Sequence, residues 1–445
     1  MEKKYFGTDG IRGVVSHPPL DDTTVYAIGA ALGGTLQSSP QTPNVLIGMD
    51  TRESGPRIAS LLAGGLRQAG AEVVFAGVIT TPAVAYLTQQ KPYAAGVMVS
   101  ASHNHYQDNG IKVFGDTGFK LSDDVEEQIE SEVEVHLAKD IEPHTLKLTL
   151  DDRGSDHYLS HLASLWKTKS TPYVLVDCAN GAASELAPKL FEMLDVNAEF
   201  LSCSPDGQNI NRDCGSLHMD ELRRRVASSS ADLGVAFDGD ADRALFVAEN
   251  GDLVDGDAVL LLAAKYLSQN NRLSQETVVT TVMANMGLEK SLQNFGISMV
   301  RTAVGDKYVL EEMKRLGAVL GGEQSGHIIF ADAATTGDGL LTACRMLEIV
   351  AASGTSLSQL ASQLVLFPQT LRNIKVEQKP ALQKIPAIAQ QITRSQQKLG
   401  DRGRIVVRYS GTEPLVRVMV EAEDPADVEY HASILAKLFE EHLGV

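Results

Sequence analysis

Residues 233–248 read LGVAFDGDADRALFVA, two short apolar runs around a turn that holds Asp238, Asp240 and Asp242 and ends in Arg243. Strand-like residues on both sides make this a strand–turn–strand unit. Three carboxylates on alternate residues repel one another unless a cation sits among them, so the turn reads as a site for a hard divalent metal such as Mg2+. An acidic hairpin turn is the plain alternative, since Asp and Gly are common turn residues. A calcium loop of the EF-hand type matches the Asp spacing and would end at Glu249, but it needs Gly at its sixth position and a helix on each side. Arg243 occupies that position.

Working outward from this turn, beta-rich runs alternate with helical ones in an order that repeats three times. The first copy runs VLIGMD from Val45, a helix opened near Ser54 and Pro56, EVVFAG, a second helical run, and AAGVMVS leading to GIKVF. The second runs YVLVDCAN, SELAPKLFEMLD, AEFLSCS, MDELRRRVASS, and LGVAFD leading to ALFVA. The third runs TVVTTVMAN, LEKSLQNFG, SMVRTAVG, KYVLEEMKRLG, and AVLGG leading to HIIF. Such alternation implies α/β domains with mixed, largely parallel sheets. After Phe367 and Pro368 the pattern changes to LRNIKVEQ, GRIVVRYS and PLVRVMVEAE around a helical region, followed by the helix VEYHASILAKLFEEHL, which reads as a smaller α+β domain. The expected domains are 1–153, 154–254, 255–367 and 368–445, arranged around a central cleft. A length of 445 residues agrees, since a prior of roughly 150 residues per domain gives about three or four.

Each copy places a polar loop between its last two beta runs: SASHNHYQDN, DGDADR and GEQSG. Equivalent loops on equivalent modules can meet in one cleft, and ligands favour such junctions. In the first loop Ser102 follows an apolar strand and precedes His103 and Asn104. A hydroxyl near the aspartates is useful if it carries a phosphoryl group, whose oxygen can join them on the metal, so Ser102 counts with the metal ligands. Ser100 competes for that role, and a turn-capping Ser is the plain alternative. GGEQSGH (Gly321 to His327) sets Glu323 and Ser325 on a glycine-flanked loop, groups suited to paired sugar hydroxyls. RYSGTEPLVR combines Arg408, Ser410, Gly411, Thr412 and Arg417 into a cradle for a phosphate dianion. No GxxxxGK[ST] P-loop occurs, which argues against nucleotide hydrolysis. FGTDGIRG presents Arg12 on a Gly-rich turn, either a plain hairpin or an anion-facing arginine, and DTRESG offers Arg52 beside Asp50, a pair that a structural role alone would also explain.

The net charge of -18 argues against nucleic acid as a partner, whose binding depends on basic surface. An anionic substrate must therefore be drawn in by local Arg and Lys. Part of the acidity is expected to be inert: DDVEEQIESEVEVHL from Asp123 has Val125, Ile129, Val133 and Leu137 at helical spacing, leaving its carboxylates on a solvated face. No signal peptide or membrane span is expected, and Cys178, Cys203, Cys214 and Cys344 lack metal-type pairing, which points to a reducing cytoplasm.

SASHNHYQDNGIKVF, DGDADR, GGEQSGH and RYSGTEPLVRV, in this order and over essentially the whole chain, resemble the alpha-D-phosphohexomutase superfamily. FGTDGIRG, Gln324, PDGQNIN and CGS are similar to its bacterial phosphoglucosamine mutase branch; glucose and mannose mutases share the fold and commonly carry Met where Gln324 stands. The resemblance implies interconversion of glucosamine 6-phosphate and glucosamine 1-phosphate through a 1,6-bisphosphate, a step feeding UDP-N-acetylglucosamine and cell-wall synthesis. It implies a phosphoserine at Ser102, one Mg2+ per subunit on Asp238, Asp240 and Asp242, and Arg243, His103, Lys112 and Arg12 around the transferring group. It further implies sugar contacts at Glu323, Ser325 and His327 and a distal phosphate site at Arg408, Ser410, Gly411, Thr412 and Arg417. The implied partner is a phosphorylated amino sugar, without nucleic acid or membrane, and homodimers are common among relatives. The chain departs from the pattern at His105, where Pro is usual, at Lys307 in place of Arg, and at Leu217 in CGSLH.

Overall fold

The computed structural model describes residues 3–38, 42–90, 93–139, 142–168, 172–410 and 414–444. They form two compact units, one of 1–281 with 297–362, the other of 282–296 with 363–445.

The first unit contains three sheets. In the first, β1 (Phe6–Gly7), β2 (Gly10–Val14), β3 (Asn44–Met49), β4 (Glu72–Val78), β5 (Tyr93–Val99) and β6 (Asp108–Gly115) lie in the order β1-β2-β6-β5-β3-β4. The second has β7 (Val174–Asp177), β8 (Ala198–Leu201), β9 (Leu233–Phe237), β10 (Ala244–Ala248) and β11 (Leu253–Val254) in the order β11-β10-β9-β7-β8. The third has β12 (Thr277–Thr281), β13 (Ser298–Thr302), β14 (Leu320–Gly322) and β15 (Ile328–Phe330) in the order β13-β12-β14-β15. All three share one plan. A middle strand (β3, β7 or β12) has a parallel neighbour on each side, and one of these neighbours folds back as an antiparallel hairpin. Parallel pairs need crossover helices, which cover both sheet faces and account for the unbroken burial of β9. The hairpin loop is the element left free to vary, and in each copy it is the polar loop singled out above.

The helix Asp22–Thr35 is buried along almost its whole length, and Gly55–Gln68 starts beside Ser54 with Pro in its first turn. The helix Asp123–Leu137 buries Ile129 and Val133, but its acidic face is not merely solvated. Glu130 accepts the backbone N–H groups of Lys4 (2.9 Å), Tyr5 (2.6 Å) and Phe6 (2.7 Å), Lys3 pairs with Asp123 and Glu126, and Lys307 reaches Asp123 at 2.5 Å. The expectation of inert charge is corrected: the segment Lys4–Phe6 that leads into β1 needs acceptors for its N–H groups, and this helix supplies them.

In the second unit β16 (Gln369–Lys375), β17 (Gly403–Tyr409) and β18 (Leu415–Ala422) form an antiparallel sheet of order β16-β18-β17. Val416, Val418 and Val420 alternate into a core shared with Leu435 and Phe439 of the helix Pro425–Leu443. This unit also contains the helix Met286–Gln293. The Arg404 guanidinium donates to the carbonyls of Val282 (2.8 Å) and Ala284 (2.5 Å), and Glu421, paired with Arg404, accepts the Met286 N–H at 2.9 Å. Among the described residues no helix is long and apolar enough to cross a membrane.

Candidate active site

The β9–β10 hairpin closes between Phe237 and Ala244, and the six residues between them carry the aspartates. Asp238, Asp240 and Asp242 are all buried, with one carboxylate oxygen of each lying within 4.8 Å of the others. The start of the helix Thr81–Gln89 docks on this turn: the Thr81 N–H donates to the Asp240 carbonyl at 3.0 Å and its hydroxyl to the Asp240 carboxylate at 2.5 Å. Glu249 points elsewhere, accepting from Ser358, so the calcium-loop alternative lacks its last ligand.

Ser102 sits in the β5–β6 loop with a φ of 53°, a left-handed conformation that is strained for a residue with a side chain. Its hydroxyl donates to Asp238 at 2.5 Å and lies 3.3 Å from Nδ1 of His103. Ser100 is engaged differently: its hydroxyl donates to Asp50 (2.6 Å) and accepts the Ser102 N–H (2.9 Å). Buried Arg52, paired with Asp50, donates to the carbonyls of Ser102 (3.2 Å), Asn104 (2.7 Å) and Asp108 (2.8 Å). Asn211 donates to the first two as well, at 2.9 and 3.1 Å. The loop is thus held by its carbonyls, which offsets the freedom left by His105 in place of proline. Gly239 makes this approach possible, because a Cβ there would lie 2.5 Å from the Ser102 carbonyl oxygen.

Lys112 leaves β6 fully buried and donates to Asp240 (2.8 Å) and Asp242 (2.9 Å), with Asp9 at 3.3 Å. Burial alone would lower its pKa, but Asp240, Asp242 and Asp9 hold it well above the ordinary lysine value. Burial, then the Arg243 and Arg12 charges, bring His103 down to about 4, so it is a neutral imidazole near pH 7. Arg243 donates to His103 Nδ1 at 3.2 Å, which puts the ring proton on Nε2. Burial and the neighbouring Asp242 and Asp240 push Asp238 well above the usual carboxylate range, whereas Lys112, His327 and Arg243 overcome burial to bring Asp242 to about 2.

The third hairpin joins the second directly, for the Ala244 N–H donates to the Gly326 carbonyl at 3.1 Å. Glu323 accepts the Gly305 N–H at 3.3 Å, and the Ser325 hydroxyl is buried without a hydrogen-bond partner. His327 is buried, its Nε2 accepting the Gly337 N–H at 3.2 Å while Nδ1 has no hydrogen-bond partner. In the second unit Arg408 and Arg417 are directly paired across β17 and β18. Ser410 is buried at the hairpin end, its N–H on the Leu415 carbonyl at 2.8 Å; Gly411 and Thr412 lie outside the described residues.

The donor set fits a hard divalent cation. Oδ1 of Asp240 and Oδ1 of Asp242 are buried without hydrogen-bond partners, and an all-carboxylate oxygen set suits such an ion. Models of the four domains of phosphoglucomutase/phosphomannomutase match in series: α/β/α domain I over residues 3–139, domain II over 156–251, domain III over 255–366 and the C-terminal domain over 371–438. The chain belongs to the phosphoglucomutase/phosphomannomutase family. It is 50% identical over 445 residues to a phosphoglucosamine mutase of Solibacter usitatus, with both chains fully covered. It is 52% identical to one of Koribacter versatilis (100% of this chain, 98% of that one) and 45% to one of Deinococcus radiodurans (99% and 98%). A phosphoglucomutase/phosphomannomutase family protein of Burkholderia thailandensis superposes with a TM-score of 0.80 at 25% identity, covering 98% of this chain and 97% of that one. The N-acetylphosphoglucosamine mutase of Aspergillus fumigatus, solved with GlcNAc-6P and magnesium, shares the fold with a TM-score of 0.69 at 20% identity, covering 99% and 96%. The chain is accordingly a phosphohexomutase-type isomerase whose full-length relatives are phosphoglucosamine mutases.

Sequence reading passed over Asp9, Lys120 and Asn211 in this site, and left open whether Arg52 and Asp50 are more than a structural pair. Asp9 contacts Arg12, Lys112 and Lys120, residues far apart in sequence except the first. The one local signal was the run TDG ahead of Arg12, a charged residue on a turn.

Proposed function

We propose that the chain interconverts glucosamine 6-phosphate and glucosamine 1-phosphate through a phosphorylated Ser102 and a 1,6-bisphosphate. The observation that carries this reading is the buried Ser102 hydroxyl, 2.5 Å from Asp238 on a strained loop tied to the aspartate turn. Phosphoryl transfer is mainly positioning and charge neutralisation, and this site is built for both. Asp238, Asp240 and Asp242 would hold Mg2+, which supplies Lewis-acid neutralisation of phosphoryl oxygens.

In the first half-reaction the sugar O1 hydroxyl attacks phosphorus, the bond to Ser102 Oγ breaks, and the proton lost by O1 is made good on Ser102 Oγ. In the second, the bisphosphate presents its 6-phosphate, Ser102 Oγ attacks its phosphorus, the bond to O6 breaks, and O6 takes up the proton that Ser102 gives up, releasing glucosamine 1-phosphate. Ser102 must then lose its proton, and His103 Nδ1, 3.3 Å away, can accept it once the Arg243 guanidinium turns from the ring to the phosphoryl oxygens. A bound phosphoryl dianion favours that protonation by opposing the neighbouring arginines. Lys112, kept as an ammonium, acts as hydrogen-bond donor and acid rather than as base. Arg12 and Arg243 neutralise the transferring group; the unpartnered Ser325 hydroxyl and His327 Nδ1, with Glu323, receive sugar hydroxyls. Arg408, Ser410, Gly411, Thr412 and Arg417 hold the distal phosphate, whichever end it is. The four free cysteines suit a cytoplasmic setting.

The test is the purified chain with Mg2+ and a trace of the 1,6-bisphosphate, offered the 6-phosphates of glucosamine, glucose and mannose. The highest kcat/KM is expected for glucosamine 6-phosphate, and intact mass should show one phosphate lost in Ser102→Ala. A clear preference for glucose or mannose 6-phosphate refutes the substrate assignment.

A further inference from the structure

Asp9 is a carboxylate shared by three cations. Arg12 pairs with it through Nη2, Lys120 through Nζ, and Lys112 approaches to 3.3 Å. These charges hold Asp9 well below the usual carboxylate range although its side chain is partly buried. Lys120 is also 2.5 Å from Asp306, at the start of the helix Asp306–Leu316, and Asp306 lies 3.7 Å from His327 Nε2 in the sugar loop. A continuous line of charge therefore runs from the buried Asp240, Asp242 and Lys112 through the partly exposed Asp9 and Lys120 to Asp306. We propose that Asp9 and Lys120 are positioning residues for phosphoryl transfer: Asp9 aims Arg12 and Lys112 at the Ser102 site, and Lys120 ties Asp9 to Asp306 beside the sugar loop. This deepens the mutase reading above and rests on it.

The backbone around Asp9 is shaped for this contact. Asp9 lies on the turn between β1 and β2, and Gly10 follows with a φ of 82°. A Cβ on Gly10 would stand 2.4 Å from the Ile111 carbonyl oxygen, so the turn packs directly on the strand that delivers Lys112. Arg12 gives only part of its fork to Asp9: its Nε is buried without a hydrogen-bond partner. A guanidinium has five donors in a rigid plane, so fixing one end fixes the direction of the rest, toward where phosphoryl oxygens arrive. At the far end Lys120 and Asp306 line a cavity of about 160 Å³ together with Leu310, Ile329 and Thr336. A role limited to holding the modules together accounts for this poorly, since apolar residues do that at least as well as buried ion pairs. Asp9 and Lys120 touch neither the aspartate turn nor Ser102 directly in any of these contacts, which is why their effect is expected on geometry rather than on substrate binding.

The experiment compares the full chain with Asp9→Asn, Lys120→Met and Lys120→Arg, measuring kcat, KM and thermal midpoint, with phosphoserine content normalised by intact mass. Asp9→Asn keeps the shape of the side chain and is expected to lower kcat about 10²-fold, the cost of misplacing a group by about 1 Å, with KM nearly unchanged. Lys120→Met should lower kcat in the same way, and Lys120→Arg, which keeps the cation between two carboxylates, should recover most of it. Asp9→Asn with parental kcat, or a loss confined to KM, overturns the proposal. So does a Lys120→Met/Asp306→Asn variant that regains kcat along with its thermal midpoint, since that would make Lys120 a matter of stability alone. If Lys120→Met does not fold, Asp9→Asn and Lys120→Arg decide. A parent chain that turns over no glucosamine 6-phosphate refutes the function reading itself; an active parent with an equally active Asp9→Asn refutes only this inference.

Discussion

Replacing Gly239 by Ala probes how tightly the Ser102 loop is set against the aspartate turn. The added methyl would lie 2.5 Å from the Ser102 carbonyl oxygen, 2.8 Å from Ile210 Cδ1 and 2.9 Å from Asn211 Nδ2. Ordinary contact begins at 3.4 Å, so the carbonyl must retreat by about 0.9 Å. It cannot retreat freely, because Asn211 and Arg52 grip that same oxygen. Overpacking of this size costs about 1–3 kcal/mol, which lowers a thermal midpoint by roughly 1–2 °C for each kcal/mol in a unit of this scale. Catalysis should suffer more than stability, since a displacement near 1 Å costs about 10²-fold in rate. The assay is kcat for glucosamine 6-phosphate alongside thermal unfolding and the phosphate content of Ser102. A variant with parental kcat and an unshifted midpoint would refute the reasoning, for the loop would then tolerate the retreat.

Ser102→Ala should abolish turnover with an unchanged thermal midpoint, and full activity would move the phosphoryl acceptor elsewhere. Asp240→Asn removes a carboxylate whose Oδ1 has no other hydrogen-bond partner, so the Mg2+ concentration for half-maximal rate should rise more than about tenfold; an unchanged titration counts against the ligand set. His103 is neutral in the fold, with its pKa lowered from 6.5 to about 4. Below pH 6.5 the unfolded chain binds the proton more readily, so stability is lost as pH falls toward 4, by up to about 3 kcal/mol relative to His103→Gln. Denaturant melts of the two proteins at pH 7.5 and 4.5 check this, and parallel pH dependence would contradict it. Arg417→Ala should raise KM for the sugar phosphate, since its partner across the sheet, Arg408, is left to hold the anion alone; unaltered kinetics remove it from the phosphate site.

The three hairpin loops were legible because their chemistry is local. Asp238, Asp240 and Asp242 must repel one another or hold a cation, and the flanking runs are short and apolar enough to be strands on sight. The helix Asp22–Thr35 escaped notice for the opposite reason: it is buried nearly all round, so it has no polar stripe to reveal a helical period. The acidic face of Asp123–Leu137 misled because a carboxylate at helical spacing looks the same whether it meets water or, as Glu130 does, three backbone N–H groups. Which of Ser100 and Ser102 meets the aspartates was settled by the left-handed turn at Ser102, a backbone choice that no side-chain pattern encodes. The link from Asp9 through Lys120 to Asp306 joins segments separated by more than a hundred residues and leaves no trace in any one of them.

The clasp of Arg404 and Glu421 on the segment from Val282 to Met286 bears on how the protein can be dissected. A chain shortened to end at Phe367 would discard both side chains and strip the helix Met286–Gln293 of the groups that satisfy its entrance. Bare carbonyls and an uncapped amide would be left on the remaining piece. Loss of activity in such a fragment would report damage to its own folding as much as the missing phosphate cradle, so point substitutions at Arg408 or Arg417 are the cleaner way to silence that cradle.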